Sequence, residues 1–178
     1  YVETLKKQKV IKNNKNLNNF NKYLYYNKEA LEHFLNAIPV LANKFDKLKI
    51  IVRPHPSENS DIYINLSQKY KNVFVEDQYS IHAWIINSKC IIHNYCTSSS
   101  EALSLGVPRF ALTKNIDKAV HKTIPYEISC VCENIDELIY KINNLLIKNK
   151  YEISEKKAKI DFKKYLHNID NQTFASSI

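Results

Sequence analysis

Five short apolar runs, at 48–52, 73–75, 90–93, 109–112 and 128–131, alternate along this chain with stretches whose apolar residues recur every three or four positions. Runs of this length suit buried strands. A helical stretch between two of them returns the chain so that successive strands lie parallel, which only a crossover can do. The pattern predicts a doubly wound α/β fold with a parallel sheet and helices on both faces. Helices are expected over 27–45, 80–86, 98–105, near 116–121 and over 135–146, with a loop or short helix through 66–70. Pro39 falls inside the first of these and predicts a kink or two abutting helices.

Three segments follow from the same pattern. Residues 1–26 are rich in asparagine and lysine, show no sustained period and read as a connector or edge segment. Residues 27–150 carry the alternating elements and form the α/β domain. Residues 151–178 are polar, with helical pattern around 162–169, and read as a C-terminal segment packing toward a missing domain. A chain that begins on Tyr1, contains no methionine and ends on Ser177-Ile178 reads as a piece of a longer protein.

Composition narrows the chemistry. An apolar content of 44% with 25% charged residues is ordinary for a folded domain and argues against disorder. No stretch approaches the roughly 20 apolar residues of a membrane-spanning helix, and no secretory leader opens the chain. The four cysteines, Cys90, Cys96, Cys130 and Cys132, do not have the spacing of a disulfide framework, so a reducing, cytoplasmic setting is expected. The net charge of +8 comes from lysines concentrated toward both ends and interleaved with asparagine and acidic residues. That distribution suits a solvated or membrane-facing surface better than a nucleic-acid-binding stripe, which would be arginine-rich and studded with aromatics.

One glycine in 178 residues rules out a glycine-rich phosphate loop of the P-loop or dinucleotide type. An anion site in this chain must use other donors: a guanidinium fork, an imidazole, hydroxyls or the amides of a helix's first turn. Two motifs supply them. Arg53-Pro54-His55-Pro56 begins where the first apolar run stops, at the carboxyl end of the expected strand, where open α/β sheets bind ligands. Arg53 is one of only two arginines against 24 lysines, and a planar fork grips phosphate in a way that an ammonium cannot copy. The prolines around His55 stiffen its backbone, which suits a contact residue as well as an exposed turn histidine.

Thr97-Ser98-Ser99-Ser100-Glu101 follows the third apolar run and opens a helical pattern. Ser98 and Glu101 have capping-box spacing, so simple capping competes with anion binding here. Gly106 and Pro108 mark the end of that helix. The candidate binding residues are Arg53, His55, Pro56, Glu58, His93, Thr97, Ser98, Ser99, Ser100 and Glu101, with Asp77 and Trp84 as weaker neighbours. Cys90 and His93 would point to opposite faces of a strand and Cys96 has no partner pair, so no metal site is expected. No Gly-x-Ser-x-Gly elbow surrounds Ser98 or Ser99, so neither reads as a nucleophile.

Taken together, Arg53-Pro54-His55-Pro56-Ser57-Glu58, Trp84, Ile92-His93-Asn94-Tyr95-Cys96-Thr97-Ser98, Glu101-Ala102 and Gly106-Val107-Pro108 resemble bacterial surface carbohydrate biosynthesis proteins over about 30–146. More distantly, the His-Pro pair followed by serines is similar to the donor-binding half of capsule Kdo transferases, bacterial sialyl- and polysialyltransferases and CDP-glycerol glycerophosphotransferases. The resemblance implies a Rossmann-like, C-terminal half of a GT-B glycosyltransferase. His55 and the Ser98-Ser99 region would hold the phosphate of a CMP- or CDP-linked donor, and Glu101 would lie near its ribose. Which serines align with the family's hydroxyl motif stays open.

The same resemblance implies a glycan or glycolipid acceptor, catalytic residues in the missing N-terminal domain, and work in capsule or lipopolysaccharide assembly at the cytoplasmic face of the inner membrane. No Asp-x-Asp cluster appears, so no cofactor is expected to be required, and the lysine distribution argues against a nucleic-acid partner. A two-domain sugar-nucleotide epimerase and a non-catalytic nucleotide-sugar-binding module are the alternatives. The epimerase family normally carries a glycine-containing phosphate turn where this chain has serines.

Overall fold

The computed structural model describes residues 14–56, 58–94, 96–113 and 124–151. The helical stretch expected near 116–121, the C-terminal pattern at 162–169, and Ser57 and Tyr95 of the two motifs lie outside the described residues. In chain order the elements are α1 (Asn14–Lys44), β1 (Ile50–Val52), α2 (Asp61–Ser67), β2 (Val73–Val75), α3 (Ile81–Ile86), β3 (Ile91–His93), α4 (Ser98–Ser104), β4 (Arg109–Leu112), α5 (Ile124–Glu127), β5 (Cys130–Cys132) and α6 (Ile135–Lys148).

The chain is α/β with parallel strands in two small sheets. β1 pairs with β2, with Ile51 opposite Phe74, while β4 lies between β3 and β5, with Phe110 opposite both Ile92 and Cys130. The single continuous sheet expected from the sequence is corrected to these two. No ladder joins them among the described residues. Strands of three or four residues make few backbone bonds, and packing rather than pairing connects the two halves.

That packing runs through α1. Ala37, Leu41 and Phe45 enter a core with Phe110, Leu112, Cys132 and the α6 residues Leu138, Ile142 and Leu145. One step round the same helix, Ile38 and Ala42 enter a second core with Tyr63 and Val73. Ile50 of β1 borders both. A third cluster of Ile85, Ala102 and Val107, flanked by Ile81 and Ile91, packs α3 and α4 on β3.

The expected start of α1 and one of the two outcomes expected at Pro39, a division into abutting helices, are corrected. The helix begins at Asn14 rather than at residue 27, so half of the segment read as a connector is helical. Residues 14–26 contain no glycine or proline, and extending an already nucleated helix costs little. Pro39 does not divide it either: one helix runs through that residue, anchored on either side by buried Ile38 and Leu41.

The α1 C-terminus is tied down by one side chain. Asn72 Nδ2 donates to the carbonyls of Ala42, Phe45 and Leu48 at 3.0, 3.1 and 3.2 Å, while the Asn72 carbonyl accepts from Ile50 N at 2.8 Å. It thus satisfies the helix-end carbonyl of Ala42 and braces the turn that follows, where Phe45 O also accepts from Leu48 N at 2.9 Å. Asn72→Ala is expected to cost about 1–3 kcal/mol by removing these bonds, measured by urea unfolding. A loss within the error of the method would show that water replaces the amide at no cost.

The end of α4 matches the stop expected from Gly106-Val107-Pro108. Gly106 takes φ +70°, Gly106 N donates to Leu103 O at 3.0 Å and Val107 N to Ala102 O at 2.8 Å. This is a Schellman motif, in which only the glycine position requires a left-handed backbone. Its hydrophobic contact is Val107 with Ala102 in the third cluster.

Candidate functional site

The first motif leaves β1 at its carboxyl end, as the apolar run predicted. Arg53 does not extend its fork toward solvent: Nη1 donates to Gln78 O at 2.9 Å and Nη2 to Tyr79 O at 3.2 Å. Trp84 Nε1 donates to the same Gln78 carbonyl at 3.0 Å. The guanidinium and indole therefore clamp the segment that follows β2, where Tyr79 is held at φ 64°. Two of the five arginine N–H donors are engaged in this way, and the other three are what Arg53 can offer a ligand. Trp84, one of the weaker candidates, is half-buried and serves this clamp.

The loop after Arg53 is organised by Glu58. Its Oε2 accepts from His55 N and from Tyr63 Oη, both at 3.1 Å, and Glu58 N donates to His55 O at 2.8 Å. Burial, with the Glu58 charge beside it, pushes the Tyr63 phenol well above its usual range, so it remains a donor to that carboxylate. Glu58, one of the candidate binding residues, lines the His55 loop, and its carboxylate is engaged in shaping the turn. His55 and Pro56 are both exposed at its tip.

The second motif departs from its expected capping. Thr97 precedes the first turn of α4 with no side-chain cap bond. Ser98 Oγ donates to Cys96 Sγ at 2.9 Å and Ser99 Oγ to Cys96 O at 2.8 Å. The first-turn amides of Ser99 and Ser100 are also engaged, donating to Cys96 O and Thr97 O at 3.1 and 2.9 Å. The Ser98–Glu101 capping box is thus corrected: the serines serve the preceding loop, and Glu101 turns away toward α3. Thr97 is exposed, Ser98 and Ser100 are half-buried, and Ser99 is fully buried.

Glu101 Oε2 lies 3.8 Å from His82 Nε2 and has no hydrogen-bond partner among the described residues although the atom is buried. This contact links the two motifs. Arg53 is bonded to the segment that leads into α3, and α3 reaches α4 through His82 and Glu101. The residues that make the link, Gln78, Tyr79 and His82, were missed by sequence reasoning. Two of them act through backbone carbonyls, which no residue type announces, and His82 stands alone in an ordinary helical pattern.

His93 is not part of this edge. It is 4% exposed, its Nε2 is 2.8 Å from Ser129 Oγ, and Nδ1 has no partner among the described residues. Burial, with the Arg109 cation nearby, lowers its pKa from the ordinary 6.5 to about 4, so the ring is neutral near pH 7. Beside it, Tyr126 Oη donates to Asn94 Oδ1 at 3.0 Å.

Arg109, the other arginine, is 2% exposed and bonds carbonyls rather than a carboxylate: Nε to Ile128 O and Nη1 to Val107 O, both at 2.9 Å. Tyr151 Oη completes that node, accepting from Arg109 N at 2.8 Å and donating to Arg109 O at 2.6 Å. Both arginines therefore use the planar fork on main-chain oxygens.

No protein-family model, curated protein or solved structure matches the chain. Among the described residues no group of three or more histidine, cysteine or acidic side chains could hold a metal ion, and no helix is long and apolar enough to cross a membrane.

Proposed function

We propose that this chain is the donor-binding domain of a glycosyltransferase, the doubly wound, Rossmann-like C-terminal half of a GT-B enzyme that transfers a sugar from a nucleotide-activated donor in surface polysaccharide assembly. The observation that carries the reading is the continuous set of contacts from Arg53 through Gln78 and Tyr79 to α3, and from His82 to Glu101. It joins two motifs 40 residues apart in sequence, each placed just after a parallel strand. His55, the remaining Arg53 donors and the hydroxyls of Thr97, Ser98 and Ser100 then face the donor phosphate. Preorganised donors stabilise the charge that grows on a leaving phosphate without rearranging in the transition state.

The donor in this reading is CMP- or CDP-linked, the acceptor is a glycan or glycolipid presented at the cytoplasmic face of the inner membrane, and catalytic residues come from a partner domain. Calorimetric titration with CMP, CDP, UDP and GDP tests it. A cytidine nucleotide is expected to bind, and His55→Ala and Ser98→Ala each to weaken binding about tenfold, equivalent to about 1.4 kcal/mol. Binding of UDP alone, unaffected at His55, would overturn the reading in favour of a sugar-nucleotide epimerase.

A further inference from the structure

Tyr79 stands in a backbone conformation that tyrosine rarely adopts. Its φ is 64°, in the left-handed region where a Cβ crowds the following carbonyl and a bulky residue is an outlier. Among the described residues the other positive φ values belong to Gly106, for which the region carries no steric penalty, and Asn149, whose short amide tolerates it. The residue types at those two positions suit the conformation, whereas an aromatic occupies it at Tyr79. Packing does not account for that aromatic, because Tyr79 is 75% exposed.

The conformation is held from outside the residue. Arg53 Nη1 and Trp84 Nε1 both donate to Gln78 O, at 2.9 and 3.0 Å, and Arg53 Nη2 donates to Tyr79 O at 3.2 Å. The peptide groups before and after the Tyr79 Cα are therefore both pinned, and strain of this kind persists only where the surroundings fix it. β1 and β2 are parallel neighbours, with Val52 opposite Val75. The guanidinium that leaves β1 and the ring that follows β2 thus share the carboxyl edge of one sheet, where open α/β sheets take their ligands. Arg53 brings its remaining N–H donors to that edge, which suit an anion. Tyr79 brings a flat apolar face beside them.

We propose that Tyr79 is the stacking platform for the base of the bound nucleotide. The inference rests on the reading that this edge binds a nucleotide, but not on which nucleotide or which reaction, because every base has a π-face that an aromatic side chain can cover. With the phosphate on Arg53 and the base on Tyr79, the two ends of the ligand meet groups that one clamp holds in register. A platform whose backbone is already fixed loses little freedom when the ligand arrives.

Calorimetric titration of the native chain and of four Tyr79 variants with CMP, CDP, UDP and GDP, paired with urea unfolding, tests the proposal. Tyr79→Ala keeps the Cβ and removes the ring. It is expected to weaken whichever nucleotide binds about tenfold, the scale of one base stacked on one aromatic side chain, without lowering the urea midpoint. Tyr79→Phe is expected to restore the affinity and Tyr79→Leu, apolar but not flat, to fail to restore it. Tyr79→Gly removes ring and strain together, so it should lose the same affinity while its urea midpoint rises above that of the native chain. Native affinity in Tyr79→Ala, recovery in Tyr79→Leu, or a lower urea midpoint in Tyr79→Gly would overturn the proposal. UDP binding that depends on Tyr79 would uphold the platform and overturn the cytidine-linked donor, whereas cytidine-nucleotide binding indifferent to Tyr79 would do the reverse. Binding of none of the four nucleotides would overturn both.

Discussion

Phe110→Ala is expected to lower the free energy of unfolding by about 3–5 kcal/mol, the usual cost of truncating a buried aromatic. Phe110 is 1% exposed and sits on β4, the strand paired on both sides. Its ring meets Tyr151 edge-on at 5.5 Å and shares a core with Leu41 of α1, Phe45 just after it, and Leu138 of α6. The vacated space has little chance to collapse, because ladders to β3 and β5 hold the backbone while helices close the core. Urea unfolding should show a lower midpoint at constant slope. Phe110→Leu keeps most of the volume and should recover most of the loss. A Phe110→Ala cost below about 1 kcal/mol would mean that this core is loosely packed.

The second large effect is a loss of stability in mild acid that depends on His93. The pKa of its ring is about 4 in the folded chain and 6.5 when unfolded. Between these values the unfolded state binds the extra proton, so stability rises with pH. The contribution is complete above pH 6.5 and is lost as pH falls through that window toward 4. Its size is about 3 kcal/mol, from a shift of roughly two and a half units at about 1.4 kcal/mol each. Stability curves at several pH values should show the slope in the native chain. His93→Gln, which retains a polar side chain but does not titrate, should flatten it. An equal slope in both chains would locate the acid sensitivity elsewhere.

Strand positions were legible from the apolar runs because a short strand buried among helices needs little besides consecutive apolar residues. The 73–75 and 109–112 runs are β2 and β4 as read. The others shift by one or two residues: the fifth starts at Cys130 because residues 124–127 make a short helix. The first turn of α6 was equally readable, since Asn134 accepts from Glu137 N at 2.9 Å in a local cap. By contrast, residues 14–26 carry no sustained apolar period, and the helix there is continuous with the packed turns that follow.

The candidate site divides along the same line. Glu58 beside His55 could be anticipated because the pair is three residues apart. The occupation of the Arg53 fork by Gln78 and Tyr79 could not, since the partners lie 25 and 26 residues away and accept through main-chain oxygens. The capping-box reading of Ser98 and Glu101 failed for a related reason. His82, brought from α3, lies beside the carboxylate that the local pattern assigned to the backbone.

Local chemistry alone determined that the strands would be short and parallel, that the helix ending at Gly106 would stop there, and that any anion site would be built without glycine. The first depends on the order of apolar runs and helical stretches along the chain, the second on residues within one turn, and the third on a composition with a single glycine. Tertiary structure decided that the strands divide into two sheets bridged by α1, that both arginines bind carbonyls, that His93 is enclosed and neutral, and that the two motifs are connected through α3. Those outcomes depend on which distant groups arrive within about 3 Å of one another, and hydrogen bonds and desolvation respond to that distance rather than to separation along the chain.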